Sequence, residues 1–127
     1  MSKQRWIDTC FWDRVYIRKL KPVEKLLYLY FITNPLTNIS GVYQIDKERM
    51  AFDSGIKIKE IDTILQKLQA DGKIFYKDGW LVVRNFIKHQ NFSNIKIQEG
   101  INRELRKSPP ELKQYIYNLD TALKIQK

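Results

Sequence analysis

The sequence predicts a mainly helical α+β fold, and three observations carry that expectation. Ile58, Ile61, Ile64, Leu65 and Leu68 form an apolar stripe with a period near 3.6 residues, which is the mark of a helix with one buried face. Two β-prone runs, Lys73 to Lys77 and Trp80 to Arg84, are separated only by Asp78-Gly79, the preferred chemistry of a two-residue type I′ turn. The chain has 127 residues, 43% of them hydrophobic and 13% aromatic, enough for one core.

The elements follow in order. Pro22 suits the first turn of a helix, where its missing N–H is harmless, and Val23, Leu26, Leu27, Tyr30 and Phe31 recur behind it at helical spacing. Asn34-Pro35 ends that helix. Gly41 to Ile45 is a short β-prone run, and Asp46 is a good N-cap for a short helix through Met50 and Ala51 that closes near Gly55. The Ile58 to Ala70 helix comes next, ended by Asp71-Gly72, and then the hairpin. Helix, short strand, helix, helix, hairpin is the order of a winged helix-turn-helix. The hairpin is its wing and the Ile58 to Ala70 helix its recognition helix.

Three segments are expected: an apolar N-terminal segment over residues 1–21, the winged-helix unit over 22–90, and a C-terminal helical extension over 91–127. In the extension, Ile97, Ile101 and Leu105 lie four apart around Gly100, which costs a helix about 1 kcal/mol. Ser108-Pro109-Pro110-Glu111 reads as a capping box that opens a last helix, with Leu112, Tyr115, Ile116, Leu119 and Leu123 on one face. Trp6, Ile7, Phe11, Trp12 and Val15 form the apolar N-terminal segment. Both apolar segments need cover, either from their own domain or from a second copy in a homodimer or higher oligomer.

Charge narrows the partner. The net charge is +9, and its placement is uneven. Residues 1–21 carry +4, residues 22–56 carry −1, and residues 57–90 and 91–127 carry +3 each. A near-neutral stretch between basic ones suits a domain that turns one face to a polyanion, most often nucleic acid. The longest apolar run, Leu26 to Ile32, is far short of a membrane span, and the N-terminus lacks the apolar stretch of a secretory signal. A cytoplasmic protein is expected. Cys10 is the only cysteine and His89 the only histidine, so neither a disulfide nor a cysteine-based zinc site can form within one chain. The five glycines never fall as G-x-G, and Gly72-Lys73 lacks the other residues of a phosphate loop. No enzyme, cofactor or metal is expected.

The candidate contacts with double-stranded DNA lie on two elements. Lys57, Lys59, Asp62, Thr63, Gln66 and Lys67 occupy the helix face that the isoleucine stripe leaves free. Lysine neutralises phosphate or donates to guanine, glutamine pairs with adenine, threonine touches phosphate or a thymine methyl, and aspartate accepts from cytosine. Asp62 is equally well placed for an i,i+3 pair with Lys59. Lys73, Lys77 and Arg84 lie on or beside the wing, and Lys88 follows it, within reach of phosphate or the minor groove. Phe75, Tyr76 and Trp80 are expected to cover the core rather than stack on bases.

These residues also carry a resemblance. Glu24 to Tyr30 with Thr33-Asn34-Pro35, Thr37-Asn38-Ile39, Gly41-Val42-Tyr43, Ala51-Phe52-Asp53 and Gly55 form its first part. Gly72-Lys73-Ile74, the strand that begins at Trp80, and Asn85 to Gln90 form its second. Together they resemble the N-terminal domain of replisome organisers and replication initiators of phages and prophages of Gram-positive bacteria, related to the DnaD-type primosome family. The resemblance covers roughly residues 6 to 107. It implies a winged helix that binds DNA near a replication origin, self-associates, and meets a replicative helicase or its loader. Asn94-Ile95-Lys96-Ile97 departs from the Asn-Pro-Lys type segment of that pattern, and after Ser108 a single amphipathic helix is expected where longer relatives carry a domain for single-stranded DNA or loader contact, in a natural short form or a fragment alike. A phage transcriptional regulator and a winged helix used only for protein association stand as alternatives, because fold alone does not separate the three.

Overall fold

The computed structural model describes residues 3–84, 86 and 95–115. A short 3-10 turn, Thr9–Asp13, leads to α1 (Val15–Lys19) and α2 (Pro22–Thr33). Strand β1 (Val42–Gln44), α3 (Lys47–Ser54), α4 (Ile58–Ala70), β2 (Ile74–Lys77) and β3 (Trp80–Val83) follow, and α5 (Ile95–Arg106) precedes a second 3-10 segment, Pro110–Tyr115. The fold is α+β and mainly helical, around one antiparallel three-stranded sheet in the order β1-β3-β2. This arrangement is compatible with a winged helix.

Local chemistry explains most boundaries. Pro22 opens α2, and the Glu24 carboxylate accepts the Lys21 N–H at 2.8 Å, satisfying a donor at the helix start. Asp46 caps α3 by accepting the Arg49 N–H at 2.7 Å, and Gly55 ends it in the left-handed region at φ 77°. Asp78 and Gly79 take φ 51° and 82°, the two positive values of a type I′ turn, so Lys77 pairs directly with Trp80.

The sheet is buried on both faces. Tyr43, Ile74, Leu81 and Val83 point into the main core with Leu27 and Phe31 of α2 and Ile61, Ile64, Leu65 and Leu68 of α4. Val42, Phe75, Trp80 and Val82 point the other way, onto Ile101 and Leu105 of α5 and onto Leu112. The expected core role of Phe75, Tyr76 and Trp80 is therefore met, with two of them under α5 rather than in the main core.

Several expectations are corrected. Ile58 belongs to the stripe by spacing but is 43% exposed at the first residue of α4, while Ile61 and Leu68 are fully buried. Ser108 does not open a helix: its hydroxyl donates back to the Leu105 carbonyl at 2.6 Å, and the chain from Pro110 forms a 3-10 segment. Ile116, Leu119 and Leu123 lie outside the described residues. Gly100 is a close-approach position, since a Cβ there would come within 2.7 Å of Ile39 Cδ1. The N-terminal segment divides, with Phe11 buried in the core and Ile7 packed on it, whereas Trp6 and Trp12 are 60% and 55% exposed.

Candidate nucleic-acid interface

α4 is amphipathic because its Ile/Leu stripe is anchored by α2, α3 and the sheet, which turns the remaining residues outward. Lys57, Lys59, Thr63, Gln66 and Lys67 are all exposed on that outer side. The structure thus places Lys59, Thr63, Gln66 and Lys67 on one helix, with Lys57 as its N-cap. Thr63 donates its hydroxyl to the Lys59 carbonyl at 3.2 Å, a back-bond common for threonine in helices that leaves its methyl and lone pairs outward. Lys67 is tethered in part, its Nζ lying 3.4 Å from an Asp71 carboxylate oxygen in an i,i+4 pair.

Asp62 is not paired with Lys59. Its Oδ1 lies 2.6 Å from Lys47 Nζ, so it joins α4 to the start of α3. That carboxylate bridges the two helices.

Two of the wing lysines have neighbours within the chain. Lys73 Nζ sits 4.5 Å from the centre of the Tyr16 ring, a cation–π contact that ties the base of the hairpin to α1. Lys77 Nζ lies 3.8 Å from a carboxylate oxygen of Glu111, in the segment that follows α5. Arg84 is half-buried beside the Asp71-Gly72 turn, and its Nε is buried without a hydrogen-bond partner. Lys88 lies outside the described residues. Burial first, and then the carboxylates of Asp46, Glu48 and Asp62, push the Tyr76 hydroxyl above its ordinary value. Asp78 stands at the hairpin tip itself.

One neighbouring cation was not singled out by sequence. Lys21 shares a groove of about 360 Å³ with Lys59 and Thr63, between the start of α2 and α4, floored by Val23 and Ile64. Its only sequence signal is the position before Pro22, which marks it as a helix-start residue and says nothing of the helix it will face. Glu24 and Glu60 line the same groove, so its charge is balanced and it is not by itself an anion site.

Among the described residues no group of three or more His, Cys, Asp or Glu side chains is arranged to hold a metal ion. Among the same residues no helix is long and apolar enough to cross a membrane. Cys10 is exposed, and the Asp8 carboxylate beside it, through a hydrogen bond and its charge, pushes the thiol above its ordinary pKa, which disfavours the reactive thiolate. Comparison with known proteins finds no matching family model, no matching curated protein and no matching solved structure.

Proposed function

We propose that this chain is a non-catalytic winged-helix protein that binds double-stranded DNA, with α4 as its recognition helix and α3-α4 as the helix-turn-helix. The supporting observation is the outer side of α4, where Lys57, Lys59, Thr63 and Gln66 stand exposed on a helix held rigidly by its opposite face. Residue types able to neutralise phosphate and to read base edges are thereby presented on a convex rod that fits a major groove. The sheet order and the two-residue hairpin are compatible with that fold.

Within that class, a role in phage-type DNA replication, as an origin-binding or replisome-organising protein of the host cytoplasm, rests on the resemblance of residues 24–55 and 72–90. That resemblance also supplies the further proposed partners, a second copy of the chain and a replicative helicase or its loader.

The test is the salt dependence of duplex binding. If Lys57 and Lys59 each neutralise one phosphate, changing both to alanine flattens the slope of log K against log salt by about 1.8, at about 0.9 per phosphate. An unchanged slope removes α4 from the contact, and affinity without salt dependence removes the DNA reading. Fragments selected from the surrounding replicon then separate the roles: clustered repeats support an organiser, a lone palindrome a transcriptional regulator.

A further inference from the structure

The outer surface around the α3-α4 turn carries two large apolar side chains that the core does not use. Phe52, near the end of α3, is 86% exposed, and Ile58, in the first turn of α4, is 43% exposed. In sequence they lie on either side of Gly55, whose own surroundings are open, with no atom within 4 Å of where its Cβ would be. Phe52 lies outside any apolar stripe, and Ile58, though in the stripe by spacing, stands beyond the buried part of it. On α3 the core position is Met50, fully buried, and on α4 the stripe is complete without Ile58.

The chemistry around this pair selects its occupant. Lys57 and Lys59 bracket Ile58 in sequence, both are exposed, and among the described residues neither has an ion-pair partner, while Glu24 and Glu60 share only the groove that Lys59 lines on the side of α2. The cores of protein–protein interfaces are depleted of charge, so an apolar side chain set between two unpaired lysines is a poor centre for one. It does match a polyanion with apolar groups on its floor. The major groove of DNA is such a surface, since phosphates line its edges and the only apolar group on its floor is the thymine C5-methyl.

We propose that Ile58 and Phe52 form a thymine-methyl reader, in which Ile58, seconded by Phe52, packs on C5-methyl groups while Lys57 and Lys59 hold the flanking phosphates. This rests on the DNA-binding reading above and adds the base class that the surface prefers. Polar contacts from Gln66 and Thr63 would then discriminate at positions further along α4.

The experiment isolates the methyl group. A duplex of alternating adenine and thymine is compared by fluorescence anisotropy with the same duplex carrying uracil for thymine, using the full chain. The wild-type protein should bind the thymine duplex about fourfold more tightly for each methyl covered, the ratio equivalent to about 0.8 kcal/mol per buried carbon. Phe52→Ala with Ile58→Ala should bring that ratio to one and leave the salt slope as in wild type. Because both side chains are exposed, circular dichroism should show the fold intact. Equal binding of both duplexes by the wild-type protein, with salt-dependent affinity retained, overturns the methyl reader and leaves the DNA reading standing. A ratio that survives in the double variant also overturns it, by assigning the preference to duplex shape. Self-association lost in the double variant, with the two duplexes bound equally, gives the face to a second copy and overturns it too. Failure to bind either duplex counts against the DNA reading itself.

Discussion

Gly41 and Phe86 leave no space between them for a side chain: a Cβ on Gly41 would lie 2.5 Å from the Phe86 Cβ and 2.7 Å from its Cγ. Phe86 is buried, and Gly41 is further fixed by its carbonyl, which accepts the Val83 N–H at 2.8 Å. Its φ of 78° lies in the left-handed region that an alanine enters at a cost. Gly41→Ala should therefore lower stability by about 2–4 kcal/mol, from backbone strain of about 1 and overpacking of about 1–3. Chemical denaturation measures this. A loss below about 1 kcal/mol would mean that Phe86 moves aside without consequence.

Two tyrosine–aspartate hydrogen bonds predict a pH dependence. Tyr30 donates to Asp53 at 2.6 Å and Tyr16 to Asp71 at 2.7 Å. The hydroxyls, helped by Arg49 and Lys67, hold both carboxyls below the ordinary carboxylate range. A depressed folded-state value means that the stabilisation is present above the unfolded carboxyl pKa and is lost as pH falls through the folded one. The variant Tyr16→Phe with Tyr30→Phe should melt lower than wild type near neutral pH, and the two should converge on acidification below the carboxylate range. A gap independent of pH would show that the lost hydroxyls matter by packing alone.

What could be read from the sequence was what short-range chemistry determines. Asp78-Gly79 dictates its own turn, Pro22 and Asp46 their helix starts, and the α4 stripe its buried face, because each needs only neighbours a few residues away. Demands that arise across the chain were invisible. The need for glycine at position 41 comes from Phe86, and that at position 100 from Ile39. Spacing assigns Ile58 an angle around α4 but not the end of the core beneath it. For the site, the exposed face of α4 was legible for the same reason as its buried face. The partners of Lys73 and Lys77 were not, since Tyr16 and Glu111 arrive from opposite ends of the chain.

The wing should contribute little to DNA affinity and more to stability. Lys77→Ala removes an exposed ion pair worth at most about 1 kcal/mol and should change the salt slope much less than the loss of Lys57 and Lys59. Gly79→Val should destabilise the hairpin by about 1–2 kcal/mol through strain alone, because φ is 82° there and no atom lies within 4 Å of the added Cβ. Thermal melts and binding isotherms on both variants make the comparison. A slope change for Lys77→Ala equal to one full phosphate would return the wing to the interface.

Self-association, where it occurs, should use the N-terminal segment rather than the described C-terminal one. Ile101 and Leu112 are buried against Val42 and Val82 on the outer face of the sheet, so they are not available to a second copy without opening the fold. Ile101→Ala and Leu112→Ala should each cost about 2–5 kcal/mol of stability, the usual range for emptying a core site. Trp12 and Val15 are different: they are 55% and 66% exposed, and Trp12 is held on one side by an edge-to-face contact with the buried Phe11 at 5.1 Å. A tryptophan anchored at one edge and wet elsewhere is preorganised to bury area on a partner. Trp12→Ala with Val15→Ala should therefore abolish any dimer seen by sedimentation velocity while leaving the melting temperature nearly unchanged. If the dimer persists in that variant, the interface lies elsewhere. If the wild-type chain sediments as a monomer at high micromolar concentration, the second copy should be dropped from its proposed partners.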